Sequence, residues 1–458
     1  MKKYDIIIVG AGASGVFMSY ELTKLQNKAT VLMIDKGAGL EKRVCPIKTG
    51  KTATCIRCVP CHIMNGYGGA GTLSDGKYNI TTQFGGDLHN YVGTEEALEL
   101  MEYVDHVLCN MGGEDAKLYS TNSGLKTLAL RNNLHLLDAK VRHLGTDRNV
   151  KILEKFFEYT KNRIDTMFNT QVIDVEKTGD GFRITTDKND VFECGDLVLA
   201  TGRSGSKWIS SICEKFDIDL KRNRVDIGVR VELPAEIFKH ITDDVYESKI
   251  VYKTDKYNDM VRTFCMNPYG EVVAENTNGI VTVNGHSYAD PSLRTENTNF
   301  ALLVSNQFTE PFKDSNEYGE SIARLSNMLG GGVLLQRFGD LVKGRRSSAR
   351  RMGKCFTRPT LKATAGDLSL VIPKRQLDNI IEMIYALDKI APGTANEDTL
   401  LYGVEVKFYN SRVHVDHNLE TKVKGLYALG DGSGVTHSLS QASASGIHAA
   451  RTLAKKYQ

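Results

Sequence analysis

Three glycines near the start of the chain have the spacing needed to bind phosphate groups through the backbone. Gly10, Gly12 and Gly15 follow an apolar run and open a segment with helical character. Gly10 permits a sharp strand-to-helix turn, Gly12 lets backbone amides approach a pyrophosphate, and Gly15 allows the helix to pack closely on the strand. The unpaired amides and the positive end of the helix attract the phosphates. This segment therefore predicts a dinucleotide site.

A carboxylate stands where such a site binds ribose. A second apolar run, Val31–Ile34, ends at Asp35, twenty residues after Gly15. A carboxylate at this place accepts hydrogen bonds from ribose hydroxyls. Strand, glycines, helix, strand and acid occur in this order, which favours a nucleotide site over a purely structural strand–helix–strand turn. The neighbouring residues predicted to contact the nucleotide are Ala13, Ser14 and Lys36.

A second glycine-rich run covers residues 65–76. It contains many glycines without a helix or strand pattern, which predicts backbone laid against a ligand. The alternative is a flexible surface loop. The residues of this run predicted to contact the cofactor are Gly69, Gly71, Thr72 and Ser74.

Four cysteines between these two glycine runs have spacing that suits a metal ion. Cys55, Cys58 and Cys61 stand at intervals of three, and Cys45 precedes them by ten positions. Four thiolates can bind one zinc ion in tetrahedral geometry. The triple also resembles the iron–sulfur run of bacterial ferredoxins, although there the Cys-Pro pair follows the triple instead of preceding it. We expect a metal centre, with zinc and an iron–sulfur cluster both open; redox thiols and inert loop cysteines are the alternatives.

Length and charge limit the classes of partner. The chain has 458 residues, which predicts two joined domains, and its formal net charge is only +3. This balance predicts neither a nucleic-acid nor a membrane partner, because both usually require a concentrated basic face. The dense basic cluster is predicted to be a solvated loop, with anion binding or substrate gating as the alternative; it comprises Lys343, Arg345, Arg346, Arg350 and Arg351.

The chain has no recognisable export signal or membrane-spanning segment. The apolar run after Met1 is too short for a signal peptide, and no other run approaches the roughly 20 residues that a membrane helix needs. We therefore expect a cytoplasmic protein. Nine cysteines, an odd number, argue against a disulfide framework.

The elements that must position these residues lie far apart along the chain. Residues 170–200 have the pattern of a three-stranded meander, which ends in a continuously apolar strand and then Thr201-Gly202. A buried parallel strand has this character, and the small residues at its end can contact a nucleotide. Val172, Thr201 and Gly202 are therefore included among the predicted cofactor contacts.

Other segments alternate between helix and strand character. Residues 95–165 are predicted to be mainly helical, residues 223–400 to be rich in strands, and residues 373–390 to form a helix. Near the C-terminus, two short strands precede a loop at Gly430 and a closing helix over 444–456.

Three of these segments together resemble the glutathione-reductase-type FAD superfamily. They are the Gly10 loop with Asp35, residues 200–202, and residues 425–431 with the helix that follows. In that superfamily the late Gly-Asp pair contacts the ribityl phosphate region, which implies this role for Gly430 and Asp431. Gly446, in the following helix, belongs to the same implied site.

A narrower resemblance is carried by three further segments. Residues 68–77, residues 226–232, and residues 264–268 with 283–287 resemble a family of uncharacterised FAD-dependent dehydrogenases. This resemblance spans nearly the whole chain, but the family name records a cofactor and little else.

The resemblance implies an α/β fold with a discontinuous domain. A glutathione-reductase-type FAD-binding Rossmann domain would comprise residues 1–95, 150–222 and 400–458. Residues 96–149 would form a helical insertion, and residues 223–399 a substrate or cap domain of mixed β-sheet and helix.

The electron donor is not indicated by a motif. Many flavin disulfide reductases carry a second glycine-triplet unit for NAD(P)H, and the sequence contains no recognisable second unit. NAD(P)H would then bind without a dedicated domain, or electrons would come from a protein donor or from the substrate.

These observations predict an FAD-dependent oxidoreductase that transfers a hydride between flavin and a small organic substrate. His437 follows the Gly430 loop and is a candidate proton donor or polariser beside the flavin. His286 is the second catalytic candidate; further substrate-side candidates are Tyr288, Arg230, Arg345 and Arg346. The alternatives are an electron-transfer or redox-sensing flavoprotein that uses the cysteine-bound metal with a protein partner, and an FAD monooxygenase.

Overall fold

The computed structural model describes residues 2–46, 49–52, 56, 58–74, 76–221, 224–277, 279–288, 290–306, 308, 312, 314–409 and 411–458. The chain divides into two compact units. Unit 1 comprises residues 1–118, 142–223 and 410–458, and unit 2 comprises residues 119–141 and 224–409. The mixed α/β class predicted from the sequence is confirmed.

The helices in chain order are α1 (Ala13–Lys24), α2 (His89–Val92), α3 (Thr94–Leu108), α4 (Ser123–Arg131), α5 (Thr146–Thr160), α6 (Ser206–Lys215), α7 (Ala235–Val245), α8 (Ser315–Gly330), α9 (Phe338–Val342), α10 (Ala349–Met352), α11 (Lys374–Asp388) and α12 (Leu439–Lys456). Among the described residues, none of these helices has both the length and the apolar character needed to cross a membrane.

The strands in chain order are β1 (Lys2–Val9), β2 (Val31–Ile34), β3 (Lys77–Ile80), β4 (Leu118–Ser120), β5 (Leu134–Leu136), β6 (Lys140–His143), β7 (Ile164–Met167), β8 (Val172–Lys177), β9 (Phe182–Thr186), β10 (Val191–Leu199), β11 (Leu220–Lys221), β12 (Val225–Pro234), β13 (Ile250–Lys253), β14 (Met260–Asn267), β15 (Glu271–Thr277), β16 (Ile280–His286), β17 (Asn297–Asn306), β18 (Leu334–Arg337), β19 (Thr364–Ala365), β20 (Leu400–Phe408), β21 (Arg412–Val413) and β22 (Leu426–Ala428).

Unit 1 is built on a seven-stranded sheet with the order β7-β2-β1-β10-β9-β8, and β22 pairs with β10. Strand β1 lies parallel to β2 and β10, with Ile6 opposite Val31 on one side and Asp196 on the other. Residues 6–9 are apolar and buried because helices and loops cover both faces of these central strands. The carboxyl ends of β1, β2 and β10 therefore meet at one edge of the sheet.

The meander predicted over residues 170–200 is present. Strands β8, β9 and β10 pair antiparallel, and β10 continues into the parallel part of the sheet beside β1. One strand thus joins the antiparallel and parallel parts, and its last three residues, Leu197–Leu199, are apolar and buried.

Unit 2 is built on an eight-stranded sheet with the order β19-β18-β20-β12-β17-β14-β13-β5. Side chains of β12 alternate between two faces. Val225, Ile227 and Val229 belong to an apolar core that includes residues of helices α7 and α11. Asp226 and Arg230 lie on the opposite face of the strand, and both are fully buried.

The segment predicted as a helical insertion contains strands as well as helices. Residues 96–149 include β4, β5 and β6 besides α4 and parts of α3 and α5, and β5 pairs antiparallel with β13. These strands have three or four residues, which is too short for a period-two pattern to stand out beside helical charge patterning.

Candidate functional site

The turn between β1 and α1 has the geometry that a phosphate-binding loop requires. Gly10 has φ +112°, and a Cβ atom there would lie 2.3 Å from the carbonyl oxygen of Ala200. Helix α1 begins at Ala13 after an extended Gly12, and no side chain of the described residues caps it. The first-turn amides, including those of Ser14 and Gly15, consequently have no partner within the helix.

Gly12 differs from Gly10 because no described residue approaches it closely enough to require a glycine there. Its φ is −75°, which any residue adopts, and a Cβ atom would have its nearest neighbours, the oxygen of Ala200 and Cα of Gly69, at 4.0 Å. A Cβ atom at Gly12 would therefore meet only ordinary contacts beside this uncapped helix end. The positive end of α1 would favour the negative charge of a pyrophosphate bound in front of it.

Asp35 lies directly after β2 and is held by backbone amides. Its Oδ1 accepts hydrogen bonds from the N–H groups of Gly37 at 2.7 Å and Gly66 at 2.9 Å, and its Oδ2 accepts one from Ala11 at 2.8 Å. These bonds fix the carboxylate beside the glycine turn. Oδ2 keeps acceptor capacity for a ribose hydroxyl, since a carboxylate oxygen can accept two hydrogen bonds.

The second glycine run packs against the first. Gly69 stands so close to Gly12 that a Cβ atom on it would lie 2.9 Å from the Gly12 Cα. Thr72 is fully buried and donates to the carbonyl of Tyr67 at 2.9 Å. The hydroxyl of Ser74 donates to the carbonyl of Gly71 at 2.6 Å. Of the predicted residues in this run, Gly69 therefore contacts the turn before α1, whereas Thr72 and Ser74 form hydrogen bonds within the run.

Arg43 is a residue of this site that the sequence did not indicate. Its guanidinium is buried and donates to the carbonyls of His62 and Ile63, to the carbonyl of Tyr67 at 2.6 Å, and to the hydroxyl of Thr72. Burial lowers the pKa of Arg43 to about 10, against the opposing influence of Asp35. No local motif surrounds this arginine, so only the folded loop shows that it braces the glycine run.

The end of β10 supplies small residues next to the same turn. The hydroxyl of Thr201 is buried without a hydrogen-bond partner among the described residues, and Gly202 has φ +62° with open space where a Cβ atom would stand. Lys36 donates to the carbonyl of Ser204 at 3.4 Å, and burial lowers its pKa while Asp35 opposes this. Val172 is buried at the start of β8, opposite Thr186.

The C-terminal segment returns to the first turn of α1. Cβ atoms placed on Gly430 and Gly446 would lie 2.2 Å from Oγ and 2.1 Å from the carbonyl oxygen of Ser14, respectively. Asp431 accepts a hydrogen bond from the hydroxyl of Thr436 at 2.9 Å. Residues from both ends of the chain thus surround one helix N-terminus.

The two histidines proposed for catalysis belong to different units. His437, in unit 1, is half-buried, and its backbone N–H donates to the carbonyl of Gly85 at 2.9 Å. His286, in unit 2, lies at the end of β16 opposite Glu271. Tyr288 donates to the carboxylate of that same Glu271 at 2.5 Å.

Two of the other substrate-side candidates, Arg230 and Arg345, have acidic partners within unit 2. Arg230 is fully buried and binds Glu405 through Nε at 2.7 Å and Nη2 at 2.9 Å. Arg345 donates to the buried Asp340 at 2.8 Å. Asp340, which the sequence did not single out, also accepts from Ser347 at 2.8 Å. The basic cluster is therefore anchored on a buried acid.

The predicted metal centre finds no support in the described residues. Cys45, Cys58 and Cys61 are partly buried free thiols, and Cys55 lies outside the described residues. No three His, Cys, Asp or Glu side chains in the described part of the chain form a group that could hold a metal ion.

Comparison with protein families gives one match. Residues 224–408 match the family described as "FAD-dependent protein, C-terminal domain-like". This range coincides with most of unit 2. The match supports the prediction of an FAD-dependent protein, while the substrate stays unidentified. No curated protein is significantly similar to the chain.

Solved structures similar to the chain include an oxidase and a dehydrogenase. Glycine oxidase from Geobacillus kaustophilus has 11% sequence identity and a TM-score of 0.44, over 100% of this chain and 96% of the oxidase. L-proline dehydrogenase from P. horikoshii has 13% identity and a TM-score of 0.44, over 100% of this chain and 95% of the dehydrogenase. Both are too distant to carry an argument about the substrate.

Proposed function

We propose that this protein is an FAD-dependent oxidoreductase that transfers a hydride between flavin and a small organic substrate. The observation that carries this proposal is the uncapped N-terminus of α1 beside Gly12, with Asp35 fixed next to it by a hydrogen bond from the amide of Ala11. The match of residues 224–408 to a family of FAD-dependent proteins supports the choice of cofactor. FAD, when bound, supplies the hydride chemistry.

The residues of unit 1 would bind FAD in three groups. The amides of the first turn of α1 would receive the pyrophosphate, and Asp35 would accept a hydrogen bond from the adenosine ribose. Thr201, whose hydroxyl has no hydrogen-bond partner among the described residues, would donate a hydrogen bond to the cofactor. Gly430 and Asp431 would contact the ribityl phosphate region, as in the glutathione-reductase-type fold that we propose for this unit.

A substitution at Gly12 tests cofactor binding separately from folding. We expect Gly12→Val to lose FAD, because its side chain would fill the space of the pyrophosphate. The unfolding free energy of the apoprotein should change by about 1 kcal/mol or less, since a Cβ atom at Gly12 would have its nearest neighbours at 4.0 Å, an ordinary contact distance. Flavin absorbance and FAD content of the purified variant, with urea unfolding, measure both quantities.

The matched control is Gly179→Val. Gly179 is an exposed residue of the same unit, and a Cβ atom there would have no atom within 4 Å. This variant should retain FAD at the wild-type ratio. A Gly12→Val protein that binds FAD as the control does would contradict the proposed site.

Anaerobic reduction identifies the electron donor and tests the histidines. The yellow protein would be mixed with NADH, NADPH and a panel of organic donors, and flavin bleaching recorded. With the donor found, His437→Ala and His286→Ala should each slow flavin reduction by about 100-fold or more if the imidazole moves a proton. Reduction at the wild-type rate in a variant with normal FAD content removes that histidine from the mechanism.

The metal centre at the cysteine-rich segment remains a proposal from the spacing of Cys45, Cys55, Cys58 and Cys61. Iron and zinc analysis of the purified protein, together with thiol titration, tests it. Iron with bound sulfide would favour the electron-transfer alternative, zinc would indicate a structural site, and four titratable thiols without metal would exclude both.

A further inference from the structure

One stretch of unit 2 carries many cations and no carboxylate. Residues 342–358 run from the end of α9 through α10 to the loop beyond it, and they contain no Asp or Glu. The next acid along the chain is Asp367. We call residues 342–358 the basic segment; its seven cations are Lys343, Arg345, Arg346, Arg350, Arg351, Lys354 and Arg358.

A buried acid holds the side chains of the basic segment. Asp340 is fully buried, and its carboxylate accepts hydrogen bonds from Nε of Arg345 and from the hydroxyl of Ser347, both at 2.8 Å. Nε of Arg351 lies 3.3 Å from the same carboxylate. Three side chains of the segment thus converge on one fixed charge.

The backbone of the basic segment is held as well. The carbonyl of Arg345 accepts a hydrogen bond from Nε2 of Gln336, a residue of β18, at 2.9 Å. The backbone N–H of Ser347 donates to the carbonyl of Gly366, directly after β19, at 2.9 Å. Because the edge of the sheet fixes this part of the segment, its side chains are positioned before any partner binds.

A second carboxylate places an aromatic residue beside the cations. Asp398 accepts a hydrogen bond from the backbone N–H of Phe356 at 2.7 Å, and one from Nε of Arg337 at 2.9 Å. Nη1 of Arg337 lies 3.7 Å from Asp340. Arg337 therefore joins the carboxylate that holds Phe356 to the carboxylate that holds the arginines, and both groups belong to one surface.

The ring of Phe356 projects into solvent from this surface. Phe356 is 78% exposed, whereas its neighbours Cys355 and Thr357 are buried. Because the residues on both sides pack inward, the fold itself directs the ring outward. An exposed phenylalanine leaves apolar area in water, and burial against a partner removes that cost.

Four cations of the basic segment are available to a partner. Lys343 pairs with Glu397, and Arg345 and Arg351 pair with Asp340. The other four are exposed and form no ion pair with a described residue; they are Arg346, Arg350, Lys354 and Arg358. Charge complementarity therefore requires carboxylates or phosphates on the partner.

The composition of the segment favours a protein over a nucleic acid. Five of its seven cations are arginine. Arginine and aromatic residues are enriched in protein interfaces, whereas lysine is depleted there. A single-stranded nucleic acid stacks successive bases on several aromatic rings, and Phe356 is the only aromatic residue of the segment. The net charge of +3 for the whole chain adds little long-range attraction to a phosphate backbone.

We propose that the basic segment is a docking surface for a protein with an acidic surface. Carboxylates of the partner would pair with the four available cations, and Phe356 would enter an apolar recess between those carboxylates. This interaction goes beyond the proposed oxidoreductase function and does not depend on it.

Three labelled probes test the class of partner on the full-length protein. A glutamate–tyrosine copolymer represents an acidic protein surface with apolar groups, polyglutamate carries the charge alone, and single-stranded oligothymidylate represents a nucleic acid. Fluorescence anisotropy measures their affinities. We expect the copolymer to bind more tightly than both other probes, and more weakly as ionic strength rises. Oligothymidylate binding at least as tightly as the copolymer, no preference for the copolymer over polyglutamate, or no copolymer binding overturns the proposal.

Variants locate the binding at the basic segment. Phe356→Ala should weaken copolymer binding about tenfold and leave polyglutamate binding unchanged, because it removes the apolar anchor alone. Arg346→Gln/Arg350→Gln should weaken binding of both polymers about fivefold, the loss expected for two exposed ion pairs. All three residues are exposed, so we expect both variants to fold, and thermal unfolding checks this. Unchanged copolymer affinity in either folded variant overturns the site.

The matched control is Arg131→Gln/Lys253→Gln, which removes the same charge from another part of unit 2. Arg131 and Lys253 are exposed and lie next to or on β5 and β13, at the opposite edge of the sheet from β18 and β19. This variant should bind the copolymer as the wild type does. Equal weakening by the control and by Arg346→Gln/Arg350→Gln would show that net charge alone holds the probe, and it would overturn the docking surface.

Discussion

The candidate sites of the two units consist of different chemical groups. In unit 1, backbone amides, glycines and a helix terminus surround the space beside Gly12, and Asp35 is held by three N–H groups. In unit 2, charged side chains on the sheet face form buried pairs, such as Arg230 with Glu405. The first site depends on shape and on fixed dipoles, and the second depends on charge.

This difference determines how each region should respond to perturbation. A backbone site fails when a side chain occupies the space, and its amides do not titrate. A charged site fails when one partner of a buried pair is removed, since the other charge is then left without compensation. Substitutions in the two units therefore have distinguishable signatures.

The largest effect on stability is expected at the Arg230–Glu405 pair. Arg230→Met leaves Glu405 buried without its bidentate partner and should lower the unfolding free energy by about 3–5 kcal/mol. Urea unfolding measures this loss. The double variant Arg230→Met/Glu405→Met should cost much less than the sum of the two single variants, because no charge is left unpaired.

An exposed ion pair of the same unit provides the control. Lys239 and Asp243 lie 2.8 Å apart on α7, and both are more than half exposed. Lys239→Met should leave stability almost unchanged. The double variant could instead lose as much unfolding free energy as the Arg230 and Glu405 single variants together. That result would show that the Arg230–Glu405 pair does not stabilise unit 2 through charge compensation.

The next effect follows from the pKa of Asp226. Burial alone would raise this pKa, but the charges of Arg262 and Arg224 and the donors around the carboxylate outweigh burial and hold the pKa well below its usual range. A depressed folded-state pKa stabilises the protein above the unfolded-state pKa of about 3.9, and this stabilisation is lost as pH falls toward the folded-state pKa.

Asp226→Asn tests this dependence because asparagine does not titrate. The wild type should exceed the variant in unfolding free energy by about 2–3 kcal/mol at neutral pH. This difference should shrink below about pH 4. Urea unfolding of both proteins across this range measures it. A difference that stays constant down to about pH 3 would mean that the carboxylate charge does not stabilise the sheet face.

A smaller effect is expected where helices of unit 1 meet. Gly446 of α12 faces the first turn of α1, and a methyl group there would lie 2.1 Å from the carbonyl oxygen of Ser14. Gly446→Ala should therefore force the helices apart and lower the unfolding free energy by about 1–3 kcal/mol. FAD content should fall as well, because the displaced turn carries the phosphate-binding amides.

The contrast with Gly12→Val sharpens this prediction. Gly446→Ala should reduce both stability and FAD content, whereas Gly12→Val should remove FAD and leave the apoprotein nearly as stable. Thermal unfolding of both apoproteins distinguishes the two. A Gly446→Ala apoprotein as stable as the wild type would show that α1 and α12 are not tightly packed.

The same difference, between local backbone features and long-range pairs of side chains, explains what the sequence could predict. The turn at Gly10, the meander over residues 170–200 and helix α11 were predictable because each depends on neighbours within a few residues. The family match supports the predicted FAD dependence. The cofactor contacts and domain boundaries drawn from the sequence stay predictions.

Long-range pairs were beyond sequence reasoning. Arg230 and Glu405 lie 175 positions apart and meet only because β12 pairs with β20 in one particular register. Arg43 and Asp340 carry no motif, and their roles follow from loops that fold around them. The strands within residues 96–149 were missed because they are too short to show a period.

The smallest effect on stability tests whether an uncharged helix end in unit 1 is stabilised without any contribution from charge. Ser438 caps α12, where its hydroxyl oxygen accepts a hydrogen bond from the backbone N–H of Gln441 at 3.3 Å. Ser438→Ala should lower the unfolding free energy by about 1 kcal/mol. Because this cap is uncharged, the loss should be the same at about pH 4 and about pH 7 and at low and high salt. A loss that changes with salt would show that charge also contributes to the helix end of unit 1, and the division between a backbone site and a charged site would then fail.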